Sequence, residues 1–320
     1  MSRELFSYAA RRLAIMAGLL LVVSFTVFSL VYLAPGDPLD VLLGGQPSTP
    51  ETVAALEREY SLDQPYLVQY WAWLSDALRL DLGESITSQL PVTEALSTAL
   101  PTTLFLGVYA YALTLVFGVG FGALAALRPG SWWDQTITGG SVIGLSMPAF
   151  VSGTLLLYVF AVQLNWFPAS GRGTGFLDQI WHLTLPAFAL AALATGYVVK
   201  HTRSAMLEVL DQDYITFARA RGLSTWRVLT RYALRNSLIP VITISGIILG
   251  FVITGAVLVE IAFSLPGIGS LMMNAASSKD VTTIQGVALV IAFVIMAANL
   301  IADITYALAD PRVRLGKAAR

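Results

Sequence analysis

Six stretches of this chain are apolar over roughly 20 residues, the length a helix needs to cross the hydrocarbon core of a bilayer. They cover approximately residues 13–33, 103–127, 137–164, 183–199, 239–259 and 284–308. Runs of this length narrow the choice of fold sharply. Inside lipid, every backbone N–H and C=O must find a partner, so only helices or a closed barrel can span. The ten-residue alternating segments of a membrane barrel are absent. The expected fold is an all-α polytopic membrane protein with six transmembrane helices. Composition agrees: 12% of the 320 residues are charged, against about 25% in ordinary soluble domains.

The first run follows Arg11 and Arg12 and has the outline of a signal peptide. It is longer than an ordinary signal core, and Pro35-Gly36-Asp37-Pro38 follows in place of a small-residue cleavage site. It reads as an uncleaved first helix. With the N-terminus inside, fifteen Lys and Arg residues fall on inner segments and four (Arg58, Arg79, Arg172 and Lys279) on outer ones. That bias places both termini in the cytoplasm and the protein in the plasma or inner membrane.

The chain divides into an N-terminal segment with the first span (1–34), an acidic outer loop (35–101) and a five-span core (102–320). The outer loop carries ten acidic residues against two arginines. Helical character is expected over 51–60 and 66–80, which makes the loop a small folded cap, a docking surface for an external partner, or both. Within the core, residues 200–238 form a cytoplasmic loop with seven basic residues against three acidic. Orientation accounts for some of that charge but not for the length of the loop, which implies short helices outside the membrane.

One such helix is expected to begin near Asp213-Tyr214, with an aspartate as N-cap, and to run through Ile215, Thr216, Phe217, Ala218, Arg219, Ala220 and Arg221. Gly222 is placed to end it, since glycine takes the left-handed conformation without a Cβ clash. Ala218 and Ala220 would give the helix a small-residue contact face for a groove on another protein. A second basic helix is expected from Ser224 to about Arg235.

Other residues carry less chemistry. No cysteine and only two histidines, His182 and His201, are present, so neither thiolate nor His-rich metal sites can form. No G-x-x-x-x-G-K-[ST] phosphate loop occurs. Gly118, Gly120 and Gly122, and likewise Gly246 and Gly250, read as close-packing positions between spans. His182, beside Trp181, reads as an interfacial anchor. Ionisable groups at membrane depth are few. Glu260 closes the fifth span beside the Phe263–Gly269 turn, which includes Pro266 and Gly267, and Asp303 lies in the last span. Each has a structural reading, as a paired or ordering carboxylate, and a pathway or gate reading.

The order of motifs across some 280 residues resembles one family. These motifs include Leu62-Asp63-Gln64-Pro65, Asp81-Leu82-Gly83-Glu84-Ser85, Ser146-Met147-Pro148-Ala149-Phe150, Trp166-Phe167-Pro168-Ala169-Ser170-Gly171, the Arg203–Leu210 run, Glu260–Gly269 and Asp310-Pro311-Arg312. The chain is similar to the permease subunits of ATP-binding-cassette importers, in particular the B-type dipeptide/oligopeptide permeases. Thr216-Phe217-Ala218 stands where that family carries its EAA motif, with Gly222 at the motif glycine, so the first two motif letters differ. The resemblance implies a type I importer bundle that is not itself an enzyme and holds no cofactor, with ATP and magnesium on partner ATPases. It further implies a second homologous permease, two ATPase domains, an extracytoplasmic binding protein and a peptide cargo, with residues 213–222 as the coupling helix. Nucleic acid is not an expected partner. The alternatives are a similar permease for a nickel chelate, glutathione or a sugar, and an ion-coupled carrier. The carrier reading is opposed by the lack of an internal repeat and of midplane charge.

Overall fold

A computed structural model of the chain describes residues 3–33, 49–50 and 62–309. The expected helix over 51–60 and the segments 34–38 and 310–314 lie outside the described residues. Among the described residues the protein is helical, apart from turns and one isolated antiparallel bridge between Glu84 and Pro91. The helices are α1 (Arg3–Leu33), α2 (Tyr66–Leu78), α3 (Val92–Leu127), α4 (Trp132–Ser146), α5 (Ala149–Leu156), α6 (Phe176–Leu210), α7 (Asp213–Ala220), α8 (Leu234–Ala262), α9 (Ile268–Ser277) and α10 (Val281–Ala309). A π-helical segment, Leu157–Gln163, prolongs α5.

Among the described residues, five helices are long and apolar enough to cross a membrane: α1, α3, α6, α8 and α10. The sixth expected span is not one helix. α4 and α5 meet at a 108° bend, and the sequence supplies the cause. Pro148 has no N–H to donate and its ring disfavours helical geometry at the preceding residue. Met147 accordingly sits at φ −96°, ψ 123°. The other helices outrun their apolar stretches: α3 starts at Val92 and α6 reaches from Phe176 to Leu210. Hydropathy marks the lipid-facing length of a helix, whereas its ends are set by hydrogen bonding and capping.

The helices fall into two packed units. One comprises Leu104–Leu265 with parts of both chain ends, the other Arg11–Thr103 with Pro266–Met296. In the first, α6 is the central element, burying Ala187, Ala189, Leu190, Ala194 and Val198. The expected glycine packing is present here. A Cβ built on Gly118 would lie 2.5 Å from Cβ of Val198, and one on Gly122 2.6 Å from Cβ of Thr202, so α3 lies against α6. Gly246 and Gly250 of α8 face Ala302 and Asn299 of α10. Gly120 differs, with nothing within 4 Å of an added Cβ. An apolar groove of about 670 Å3, lined by residues such as Phe117, Ile137, Gly140, Phe160 and Phe188, lies within this unit.

The second unit is ordered by polar contacts between segments distant in sequence. Ser24 and Ser29 of α1 bond the hydroxyls of Tyr70 and Tyr66 of α2 at 2.9 and 2.5 Å. The Tyr32 hydroxyl bonds Gln69. Gln285 of α10 donates to the Val27 and Phe28 carbonyls, both at 3.2 Å. Asp280 caps α10 by accepting the Thr283 N–H at 3.1 Å, and its carboxylate also accepts the Ser85 and Thr283 hydroxyls at 2.5 and 2.8 Å. Ser85 of the 81–85 motif thus fastens the loop before α3 to the cap of α10.

Candidate functional site

The loop after α6 forms a compact platform around α7. α6 ends at Leu210, and α7 begins two residues beyond its C-cap, Asp211. The expected aspartate N-cap does not form. Gln212 occupies the N-cap position without a side-chain hydrogen bond, and Asp213 is the first helical residue. There its carboxylate still favours the helix, through attraction to the positive end of the helix dipole rather than through a capping bond.

At eight residues α7 is far too short to hold on its own in water. Packing holds it. Ile215 is 0% exposed and Ala218 is 6% exposed. They form a small core with Val228, to which Val209, Leu210, Leu223 and Tyr232 are added. Burying an isoleucine side chain contributes about 1.5–3 kcal/mol, enough to offset the marginal helix. The Asn236 amide donates to the Tyr214 hydroxyl at 3.3 Å, tying α7 to the returning chain.

Gly222 ends the helix as expected, at φ +76°. The Gly222 N–H donates to the Arg219 carbonyl at 2.9 Å and the Leu223 N–H to the Ala218 carbonyl at 3.3 Å. This is the paired pattern of a left-handed glycine cap, completed by the apolar residue that follows it. A Cβ at Gly222 would meet no atom within 4 Å, so the requirement for glycine there is conformational rather than steric.

The returning chain is not a separate basic helix. A single turn, Thr225–Arg227, capped by Ser224, passes into a π-helical segment, Val228–Ala233, and then directly into α8. Ala233 is fully buried with Ala126 of α3 and Met206 of α6. α7 is therefore braced on the end of α6 and on the π-helical segment leading into α8, and that segment in turn packs on α3 and α6.

What α7 presents outward differs from the expected alanine face. Ala218 points inward. The exposed residues include Tyr214 at 41%, Phe217 at 70% and, from the next turn, Trp226 at 75%. Arg219 and Arg221 are exposed beside them. The sequence signal for this was available: with Ile215 and Ala218 three apart on the inner face, Phe217 is directed away from it.

Beneath this platform, α6 is clamped to α4 by an ion pair that motif reading missed. The Arg203 Nε and Nη2 donate to the two Asp134 oxygens at 2.6 and 2.7 Å, a two-point contact. Asp134 is only 4% exposed and also accepts the Gly130 N–H and the Thr138 hydroxyl.

The other expected site residues are scattered. Glu260 and Phe263 sit together at the end of α8, 0% and 1% exposed. The Phe263 ring comes within 3.1 Å of where a Cβ on Gly153 of α5 would be, which makes it a core packing residue. Pro266 precedes α9, where the Gly267 N–H donates to the Ser270 hydroxyl. Asp303 is half-buried on α10. His182 bonds the Asp178 backbone carbonyl at 3.0 Å, beside a Trp181 ring stacked on Phe167. Among the described residues no three His, Asp or Glu side chains gather as metal ligands.

Known proteins are similar to this chain in sequence and in fold. Residues 118–315 match the family described as "Binding-protein-dependent transport system inner membrane component", and residues 5–107 match "Binding-prot-dependent transport system membrane comp, N-term". A putative peptide transport system permease protein of Brucella abortus (strain 2308) is 40% identical over 95% of this chain and 98% of its own length. The di/tripeptide transport system permease protein DppB of Pseudomonas aeruginosa (strain UCBPP-PA14) is 38% identical over 97% of this chain and 99% of its own. The oligopeptide transport system permease protein AppB of Bacillus subtilis (strain 168) is 40% identical over 96% and 99%. In fold, the chain is similar to an inward-facing structure of the MetNI methionine ABC transporter. The TM-score is 0.57 at 16% identity, over 68% of this chain and 96% of that one. With both of its parts matched and relatives covered nearly end to end, the chain belongs to the binding-protein-dependent transport system inner-membrane component family.

Proposed function

We propose that this chain is one of two related permease subunits of an ATP-driven peptide importer, with both termini in the cytoplasm. The observation that carries the proposal is the α7 platform. It is a short helix with exposed aromatic and cationic residues in and just after it (Tyr214, Phe217, Arg219, Arg221), held by the end of α6 and the π-helical segment leading into α8. ATP binding and hydrolysis belong to two partner ATPase domains, one of which docks there, since this chain carries no phosphate loop. Closure of the ATPases pushes α7, and α6 and α8 carry the displacement into the membrane as rigid bodies. An extracytoplasmic binding protein delivers the cargo to the acidic outer loop. Peptide as cargo rests on the names of the relatives. Glu260, wholly buried beside Phe263 at the end of α8, is the carboxylate best placed to act at a gate, with Asp303, Pro266 and Gly267 as the other candidates.

The test is uptake of a labelled dipeptide and a labelled pentapeptide by cells lacking this chain, complemented with wild type or Gly222→Asp. Loss of uptake that only wild type restores is the expected result. A fully inserted Gly222→Asp protein that transports normally would sink the coupling role. Undiminished uptake of both peptides in the deletion strain would sink the peptide cargo.

A further inference from the structure

The second packed unit contains a cavity of about 120 Å3 that the transport reading leaves without a role. A single water needs only about 10–15 Å3, so the space takes a ligand larger than water. Its lining includes Tyr32, Trp73, Asp76, Asp81, Thr282 and Gln285.

Thr282 is the residue that needs an explanation. It is 3% exposed and its hydroxyl has no hydrogen-bond partner. A hydroxyl buried in that way destabilises the fold unless something satisfies it. Of the other polar side chains in the lining, the Trp73 indole N–H is a donor and the Gln69 amide donates to the Leu62 and Gln64 carbonyls, while the rest offer acceptors. The Gln285 amide nitrogen is engaged with the Val27 and Phe28 carbonyls, which leaves its carbonyl oxygen. Tyr32 donates its hydroxyl proton to Gln69, which leaves its ring face and a lone pair. Asp81 accepts the Gly83 N–H with one oxygen at 3.1 Å, and Asp76 faces Arg79 at only 3.9 Å, both well exposed. The lining therefore offers hydroxyl and amide oxygens, carboxylates and aromatic faces, a set that suits a cation bearing N–H donors.

A hard metal ion fits less well. It requires several oxygens closing at 2.0–2.6 Å, and among the described residues no group of three carboxylate or imidazole ligands assembles. We propose that this cavity is a binding site for a primary alkylammonium group of a small soluble amine. The ammonium would be held by Thr282, Gln285 and the two aspartates, with its alkyl stem against Tyr32 and Trp73. This inference stands apart from the peptide-import reading, because it is tested by binding and not by transport.

The probe is n-butylammonium chloride, titrated calorimetrically into the assembled complex containing the full chain in nanodiscs, with n-butanol as the neutral control. Saturable binding of n-butylammonium, at least about tenfold tighter than n-butanol, is expected from hydrogen bonds to charged groups. Thr282→Val and Asp76→Asn should each weaken it by about tenfold. Thr282→Val should also leave the ligand-free Tm unchanged or higher, because it removes an unsatisfied hydroxyl; a purely structural hydroxyl would lower it. No saturable binding by the wild type, equal binding of n-butanol, or wild-type affinity in Thr282→Val would each overturn the assignment.

Discussion

Ile215 and Phe217 lie two residues apart on α7 yet are set up to fail in opposite ways. Ile215→Ala removes three carbon atoms from a side chain with no solvent exposure. At about 0.8 kcal/mol per methylene the transfer loss is about 2.4 kcal/mol, and the cavity left behind raises it toward the 2–5 kcal/mol usual for such truncations. Since α7 has no independent stability, the loss falls on local opening of the platform. At 1.4 kcal/mol per tenfold, amide exchange protection over residues 217–223 should drop by roughly 50-fold or more. Phe217→Ala removes a larger side chain that is 70% exposed, so protection there should change by less than about threefold, in line with surface substitutions of about ±0.5 kcal/mol. Transport should nonetheless fall in both: in Ile215→Ala because the platform is loose, in Phe217→Ala because the partner loses its contact. The assays are hydrogen exchange of the reconstituted complex, read at the α7 peptides, and peptide uptake by the same variants. A Phe217→Ala protein with wild-type uptake, or with α7 as unprotected as in Ile215→Ala, would refute the division between an inner holding face and an outer docking face.

Further expectations concern backbone geometry, a buried ion pair and helix packing. At Gly222, held at φ +76° with open space around a would-be Cβ, the penalty for an L-residue is about 1–2 kcal/mol of left-handed strain. Gly222→Asn, which tolerates that region, should therefore retain more transport than Gly222→Val, as uptake rates will show. Asp134→Asn leaves Arg203, 29% exposed, without its partner. Breaking a fully buried pair costs 3–5 kcal/mol, and the partial exposure brings this to about 2–3. The drop in Tm should be partly reversed in Asp134→Asn/Arg203→Met. Gly118→Val should block assembly of α3 on α6, whereas Gly120→Ala, with nothing within 4 Å, should be neutral in the yield of folded protein.

Several of these features could be read from the sequence because their causes are local. Apolar length gave five spans directly, and Gly222 announced a left-handed cap because few other residues accept that backbone. Pro148 carried the same kind of information, yet the apolar run across it read as one helix. Hydropathy records the preference for lipid and is blind to a missing N–H. The Asp213 cap failed for a subtler reason: a helix start can shift by one residue at little cost, which turns a capping carboxylate into a dipole partner. The second basic helix merged with α8 because no residue between Val228 and Ile239 compels a break, and Pro240 is carried inside the continuous helix.

What the sequence could not disclose is pairing. Ser85 and Asp280 meet across 195 positions, and neither position shows in isolation that it needs the other. Arg203 is the sharper case, because it enters two arguments. In the charge tally it is one of fifteen cations on the expected inner segments; in the folded protein its guanidinium is engaged by Asp134 at 2.6 and 2.7 Å. The two arguments are compatible, since the expected topology rests on which cations resist translocation during insertion, whereas the pair forms only once α4 and α6 have packed. Removing Arg203 from the tally leaves fourteen against four, so the orientation does not depend on it. Arg219 and Arg221, by contrast, are exposed together with the other cations of the 200–238 loop, Lys200, Arg227, Arg231 and Arg235.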